Sequence, residues 1–154
     1  FNRKGEFNLP VGKRDFNIKM QKKLAGFIDR IKSGDYGFTN GDFREVDISN
    51  FTNKSFVYAD PPYLITCATY NEQEGWTEQD EKDLLVYLEK LDKKGVRFAL
   101  SNVLESKGKR NDILINWIKK NKKFKAIPLD YNYSNSNYHT NREGITKEVL
   151  VVNY

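Results

Sequence analysis

The sequence predicts an α/β fold with a mostly parallel sheet and an antiparallel last strand. Between residues 56 and 129, short apolar segments alternate with two amphipathic helical patterns, which is the order typical of a parallel sheet. The last apolar run, 149–152, follows a polar loop at 130–146 without helical periodicity, so we expect its strand to return antiparallel. A chain of 154 residues suffices for one domain with a hydrophobic core.

The first predicted element is a helix over residues 19–33, which Gly34 ends. Its apolar face consists of Met20, Leu24, Phe27, Ile28 and Ile31. A short strand is predicted at 36–39. The compact apolar run 56–59 predicts a buried strand that ends at Asp60.

A second helix is predicted to start at Thr77, because Asp80 follows three residues later in a variant of the capping box. Gly95 is expected to end this helix. Its apolar stripe consists of Leu84, Leu85, Leu88 and Leu91. The later elements are predicted as a strand at 96–100 closed by Ser101 and Asn102, a helix at 109–121 and a strand at 124–129.

Positive charge is concentrated at the start of the chain. The whole sequence carries +5, whereas residues 1–33 hold nine basic and three acidic side chains, so that the remainder is −1. Such a segment suits contact with a polyanion, although a solvated Lys-rich face that only aids solubility fits the charge equally well.

No apolar run approaches the ~20 residues of a membrane span. Cys67 is the only cysteine, so we expect a cytoplasmic protein without disulfides.

The segment richest in chemistry is Asp60-Pro61-Pro62-Tyr63, directly after a predicted strand. Asp60 offers a carboxylate, and Pro61 lacks an amide hydrogen but keeps its carbonyl acceptor. The two prolines stiffen the turn, and Tyr63 offers a flat face for stacking. The tetrapeptide is expected by chance in about one chain per thousand of this length, which favours a functional pocket over an ordinary proline-rich turn.

Two fixed acceptors suit the exocyclic amine of adenine, whose lone pair is delocalised into the ring. Hydrogen bonds to both amine hydrogens favour a tetrahedral nitrogen and localise the lone pair, without a strong general base. The base must leave the duplex to reach such a pocket, at a cost of a few kcal/mol. Stacking on Tyr63 would return about 1–3 kcal/mol.

Asp60-Pro61-Pro62-Tyr63 is similar to the amine-binding motif of amino-directed DNA methyltransferases, and the surrounding sequence resembles the Dam-type DNA adenine methyltransferases. Gly5–Gly12 resembles part of that family's target-recognition region, from which Val11 and Asp15 depart where aromatic residues are usual. Weaker similarities lie at Gly41-Asp42-Phe43, which resembles the turn that holds the adenine of S-adenosylmethionine, at Leu100-Ser101-Asn102 and at Lys147-Glu148-Val149-Leu150.

The resemblance implies a Rossmann-like methyltransferase sheet and methyl transfer from S-adenosylmethionine to adenine in double-stranded DNA, in a bacterial or phage-encoded protein of the restriction-modification type. Catalytic roles are implied for Asp60, Pro61, Pro62 and Tyr63, and cofactor-binding roles for Asp42, Phe43 and Asp60. The candidate DNA-contacting residues are Arg3, Asn8, Arg14, Asn135 and Arg142. No metal site is expected, because His139 is the only histidine and no His/Cys cluster accompanies it.

The family order is cofactor loop, recognition region and catalytic motif, and the similarity here begins inside the recognition region. The family's Phe-x-Gly-x-Gly cofactor loop has no counterpart in the sequence. We therefore expect residues 1–18 to end the recognition region and 19–154 to be the C-terminal part of the catalytic domain, missing its N-terminal cofactor-loop strands and inactive alone. Two alternatives stay open: a non-catalytic DNA-binding remnant, and an amino methyltransferase that acts on RNA or protein.

Overall fold

The computed structural model describes residues 16–66, 75–129 and 146–154, which form a mixed α/β structure. The chain divides into two compact units, Phe1–Asn40 and Gly41–Tyr154. None of the helices in the described ranges is long and apolar enough to cross a membrane.

The described part of the first unit contains one helix, α1, at Ile18–Ser33. Its N-cap is Asn17, whose side chain accepts a hydrogen bond from the Met20 amide at 3.1 Å. The predicted helix is thus confirmed to within one residue. None of its residues is buried, and Phe27 on the apolar face is 61% exposed. The strand predicted at 36–39 is wrong, because none of the described strands pairs with this segment.

The second unit is built on a sheet with the strand order β1-β2-β5-β4. The strands are β1 (Phe56–Ala59), β2 (Arg97–Ser106), β3 (Lys109–Arg110), β4 (Lys125–Leu129) and β5 (Lys147–Val152). β1 pairs parallel with β2, and β5 pairs antiparallel with both β2 and β4. Therefore β1, β2 and β4 run in one direction, and the prediction of a mostly parallel sheet with an antiparallel last strand is confirmed.

Helix α2 (Glu78–Lys93) connects β1 to β2 and begins as the sequence predicts. Thr77 and Asp80 form a reciprocal capping box, in which the Asp80 carboxylate accepts from the Thr77 amide at 2.8 Å. Gly95 follows the helix with a φ of +76°, which a residue without Cβ adopts at little cost. The Val96 amide then donates to the Leu91 carbonyl at 2.9 Å and closes the helix end.

The core lies between one face of this sheet and the two helices α2 and α3 (Asp112–Lys120). It contains the four predicted leucines of α2 together with Phe98, Leu100, Leu114, Trp117, Val149 and Val151. The prediction of a buried strand at 56–59 is correct in its bounds but wrong in its burial. Phe56 and Tyr58 are 51% and 57% exposed, because they lie on the other face of the sheet.

Two predicted element boundaries, the end of β2 and the start of α3, are wrong because strand pairing continues further along the chain than the local sequence pattern indicates. β2 does not close at Ser101 and Asn102 but runs on to Ser106, since both residues pair with β5. Residues 109–110 turn back as β3, so α3 begins only after Asn111, whose side chain accepts from the Leu114 amide at 3.0 Å.

The cap of α2 predicts an acid-dependent contribution to stability. The pKa of Asp80 is about 2, below its ordinary 3.8, first because Thr77 hydrogen-bonds its carboxylate and then because Arg44 does. A pKa lowered in the folded state stabilises the fold above pH 3.8, and the effect disappears as the pH falls toward 2. We expect Asp80→Asn to lower the free energy of unfolding by about 1 kcal/mol at neutral pH and much less near pH 2, measured by urea denaturation.

Glu78→Gln is the matched control, because Glu78 lies in the same helical turn with 71% of its side chain exposed. It should change the free energy of unfolding by only a few tenths of a kcal/mol. Equal destabilisation by Asp80→Asn at neutral and acid pH would contradict the assignment of the effect to the ionised carboxylate.

Candidate active site

Parallel pairing of β1 with β2 brings the Asp-Pro-Pro-Tyr segment beside Ser101. Ala59 and Leu100 are register partners, so the residues that follow them, Asp60 and Ser101, start from neighbouring positions on the two strands. The Tyr63 hydroxyl bridges them, at 3.0 Å from the Asp60 Oδ1 and 2.9 Å from the Ser101 Oγ. This bridge closes the turn 60–63 against β2.

The direction of the hydrogen bonds follows from the donor inventory. A carboxylate only accepts, so Tyr63 donates its proton to Asp60, and its oxygen can then accept from the Ser101 hydroxyl. The Asp60 Oδ2 has no hydrogen-bond partner within residues 16–66, 75–129 and 146–154. Asp60 itself is exposed, so one of its two oxygens is accessible to a ligand.

The place of Tyr63 between Asp60 and Ser101 affects the pKa of its hydroxyl. Partial burial is the main reason why its pKa lies above the ordinary 10.0, and the neighbouring Asp60 carboxylate acts in the same direction. The Ser101 hydrogen bond acts in the opposite direction. The phenol therefore stays neutral and serves as a hydrogen-bond donor around neutral pH.

An aromatic pocket of about 330 Å³ lies next to the turn. Five aromatic rings and two residues of the motif contribute to its wall, which is lined by Phe43, Val46, Phe51, Val57, Tyr58, Ala59, Asp60, Pro61, Trp76, Leu84 and Tyr87. Its size is at the lower end of ordinary ligand sites, and its predominantly apolar wall suits a flat, weakly polar ring. Asp60 and Pro61 of the turn are among the residues that line it.

Phe43 is held in the aromatic pocket by an ion-pair cluster centred on Arg44. The Arg44 guanidinium contacts Asp80 at 2.6 Å, Asp83 at 2.8 Å and Asp42 at 2.9 Å. These contacts connect the short 3-10 turn Phe43–Glu45 to the start of α2. The guanidinium carbon also lies 4.6 Å from the centroid of the Phe43 ring.

Asp42, which the sequence assigns to cofactor binding, supports this turn with both carboxylate oxygens. Its Oδ1 accepts from the Arg44 amide at 2.8 Å, and its Oδ2 accepts from the Arg44 guanidinium at 2.9 Å. Phe43 lines the aromatic pocket, whereas Asp42 is not among the lining residues. The structure therefore brings Phe43, Asp60 and Pro61 together at one pocket, and Asp42 is not part of its lining.

The position of Trp76 before α2 predicts that it packs there as a helix staple. In the structure it also lines the aromatic pocket. Its indole nitrogen donates to Glu81 of α2 at 2.8 Å, so the contact between these staple positions is polar. Its ring centroid lies 5.8 Å from that of Phe43. Trp76 is thus a wall of the aromatic pocket, which its sequence position alone does not indicate.

Several sequence-derived candidates lie outside the described residues. They are the proposed DNA contacts Arg3, Asn8, Arg14, Asn135 and Arg142, and the single cysteine Cys67 and single histidine His139 lie outside as well. Sequence reasoning also missed contributors to the site that act through space rather than through a motif. Arg44 and Tyr87 are distant in sequence from the motif and have no spacing signal, whereas Ser101 lies in the weak family similarity at Leu100-Ser101-Asn102 and its place beside Asp60 follows from the pairing of β1 with β2.

A stiff Asp-Pro-Pro-Tyr turn after a parallel strand, beside an aromatic pocket, defines the class of amino-directed methyltransferases. The comparison with protein families agrees with this class. The family model described as D12 class N6 adenine-specific DNA methyltransferase matches residues 1–142. The chain belongs to this family.

Three similar proteins support the family assignment. Modification methylase StsI of Streptococcus sanguinis and type II methyltransferase M.FokI of Planomicrobium okeanokoites are each 39% identical over 160 residues, covering all of this chain. Modification methylase LlaI of Lactococcus lactis subsp. lactis is 36% identical over 122 residues, or 77% of this chain. The chain spans 24% of the length of StsI and of M.FokI, and the matched part of LlaI is 19% of its length.

The Tyr63 bridge predicts opposite titration shifts for two substitutions. Asp60→Asn removes the charge and acceptor that raise the pKa of Tyr63, so this pKa should fall. Ser101→Ala removes the hydrogen bond that lowers it, so the pKa should rise. The measurement is a pH titration of tyrosines labelled with carbon-13 at Cζ, in which Tyr63→Phe identifies the signal.

Asp112→Asn is the control, because it removes an exposed carboxylate that pairs with Arg110 rather than with the site. It should leave the Tyr63 titration unchanged. Shifts of the same sign in Asp60→Asn and Ser101→Ala would show that the bridge does not exist in solution.

Proposed function

We propose that the protein containing this chain transfers a methyl group from S-adenosylmethionine to the exocyclic amine of adenine in double-stranded DNA. The observation that carries this proposal is the accessible Asp60 oxygen in a turn fixed by Tyr63 and Ser101, next to the aromatic pocket. Membership of the family supports the reaction class. Because the chain spans about a quarter of StsI and M.FokI, the activity is proposed for the complete gene product.

In the proposed site, Asp60 accepts one amine hydrogen through its Oδ2, because its Oδ1 is engaged by Tyr63. The carbonyl of Pro61 accepts the other hydrogen, and Pro62 keeps this carbonyl aimed by restricting the backbone. The two hydrogen bonds localise the nitrogen lone pair for attack on a methyl carbon. S-adenosylmethionine would supply the methyl group as its sulfur–methyl bond breaks, with S-adenosylhomocysteine as the leaving group, and the methylated amine would release one proton to water.

Tyr63 provides the stacking platform for the extruded base. Its hydroxyl is held at both sides by Asp60 and Ser101, which limits rotation of the side chain and keeps the ring in one plane. An immobile ring loses little conformational entropy when a base stacks on it. Stacking of this kind stabilises a bound base by about 1–3 kcal/mol and offsets part of the cost of extrusion.

The aromatic pocket fits the purine end of S-adenosylmethionine, which would supply the electrophilic methyl group. Phe43, Trp76 and Tyr87 offer apolar ring surfaces, and the pocket volume of about 330 Å³ accommodates a purine rather than the whole molecule. Asp42 would act at this site by holding Arg44 and the Phe43 turn. The remainder of the cofactor site would come from parts of the protein beyond this chain.

DNA contact is proposed for the basic start of the chain and for the loop 130–146. Residues 1–33 carry a net charge of +6, which suits binding to the phosphate backbone. The candidate contacts are Arg3, Asn8, Arg14, Asn135 and Arg142. A bacterial or phage restriction-modification setting is proposed on the names of StsI and LlaI, both modification methylases.

The central test is the substitution Asp60→Asn in the complete gene product. Asparagine keeps the shape of the side chain but puts an NH₂ donor where one of the two carboxylate oxygens accepts, so either the Tyr63 hydroxyl or the amine faces a donor instead of an acceptor. We expect kcat for methylation of duplex DNA to fall by about 10²–10³, as on removal of one preorganised electrostatic contact. Transfer of tritium from labelled S-adenosylmethionine measures the rate.

Asp112→Asn should retain the full rate, because Asp112 pairs with Arg110 on the surface. Parallel assays on RNA and protein test the alternative acceptors, and a rate on either that exceeds the rate on DNA would replace the proposed substrate. Wild-type DNA binding without methylation of any acceptor would favour the non-catalytic remnant. Full activity of Asp60→Asn with DNA would refute the proposed role of Asp60.

A further inference from the structure

Glu81 on α2 is a fully buried carboxylate that receives three hydrogen bonds. Its Oε2 accepts from the indole nitrogen of Trp76 at 2.8 Å, and its Oε1 accepts from the side-chain amides of Asn102 at 3.1 Å and Asn111 at 2.8 Å. No Lys or Arg within the described residues forms an ion pair with it. Burying a carboxylate among neutral donors costs free energy. This cost indicates that its two acceptor oxygens have a specific role.

The three donors belong to different parts of the molecule. Trp76 is a wall of the aromatic pocket, Asn102 follows Ser101 on β2, and Asn111 caps α3. Asn102 and Asn111 have their own carbonyl oxygens engaged by the backbone amides of Val103 and Leu114, so their amide groups must face Glu81. The network therefore fixes the pocket wall relative to the strand that holds the Tyr63 bridge.

We propose that Glu81 is a positioning residue that holds the indole of Trp76 in place as a wall of the aromatic pocket and thereby raises its affinity for a purine. This inference rests on the proposed function, because it takes the aromatic pocket as the site of the purine end of S-adenosylmethionine. Trp76 contacts the ligand in this arrangement, whereas Glu81 acts only through Trp76.

The substitution Glu81→Gln separates the hold on Trp76 from the tie between α2, β2 and α3, because glutamine has one acceptor oxygen where glutamate has two. Its oxygen satisfies the amides of Asn102 and Asn111, and its own amide hydrogens then face the Trp76 N–H. The indole loses its acceptor and leaves its position, while the tie between α2, β2 and α3 persists. A part-buried donor that faces another donor is costly, which favours movement of the indole away from Glu81.

The chain offers a matched control on the same helix. Glu89 accepts a hydrogen bond from the indole nitrogen of Trp117 at 2.9 Å and from Asn121 at 3.3 Å. This carboxylate–indole pair has the same chemistry, but neither of its members lines the aromatic pocket. Both donors use the Glu89 Oε1, an oxygen that glutamine retains, so Glu89→Gln reports the removal of a carboxylate charge beside an indole on α2 without any effect on the pocket wall.

The experiment measures binding of S-adenosylhomocysteine to the complete gene product by calorimetry, at a temperature where every variant is folded. Glu81→Gln should raise the dissociation constant about tenfold, and Glu89→Gln should leave it within about twofold. In a Trp76→Phe background, Glu81→Gln should add less than about a twofold change, because the group through which it acts is gone. In fluorotryptophan NMR, Glu81→Gln should shift the signal that Trp76→Phe removes.

Phe43→Ala separates failure of this inference from failure of the proposed function. If Phe43→Ala weakens binding and Glu81→Gln does not, the assignment of the aromatic pocket as the purine site is supported and Glu81 has only a structural role. If the effect of Glu81→Gln persists in the Trp76→Phe background, or Glu89→Gln weakens binding equally, Glu81 does not act through Trp76. If the wild type does not bind or Phe43→Ala binds normally, the pocket assignment fails and the inference with it.

Discussion

The parallel hydrogen bonding of β1 to β2 is the constraint on which the site depends. Register pairing of Ala59 with Leu100 brings a turn after one strand next to a hydroxyl on the other, although 41 positions separate Asp60 from Ser101 in the sequence. The Tyr63 hydroxyl then bonds to both. A shift of one residue in this register would turn Ser101 to the opposite face and remove the bridge that holds Tyr63.

The same crossover that makes the strands parallel also builds the aromatic pocket. Helix α2 must pass from the end of β1 to the start of β2, and its first two turns carry the charges that hold neighbouring elements. Asp80 and Asp83 bind Arg44 and with it Phe43, while Glu81 binds Trp76. Stability of the helix start and shape of the pocket are therefore coupled, so that changes at the cap of α2 also reach the site.

Local patterns in the sequence predict the elements well, because capping and periodicity are properties of adjacent residues. Thr77 and Asp80, the leucines of α2 and the bounds of β1 are examples. What depends on non-local pairing is not predictable in this way: the insertion of β5 between β2 and β4, the extension of β2 through Ser101, and the exposure of Tyr58. The motif likewise identifies Asp60 and Tyr63, whereas Ser101, Arg44 and Trp76 join the site through tertiary contacts.

The central claim is that the turn at Asp60 binds the amino group of the target base. The most direct measurement compares the affinity of the complete gene product for two duplexes, one with adenine at the methylated position and one with purine, which lacks the amine. Wild type should bind the adenine duplex about tenfold more tightly, and Asp60→Asn should lose this preference. A preference for adenine that is the same in wild type and Asp60→Asn would contradict the account.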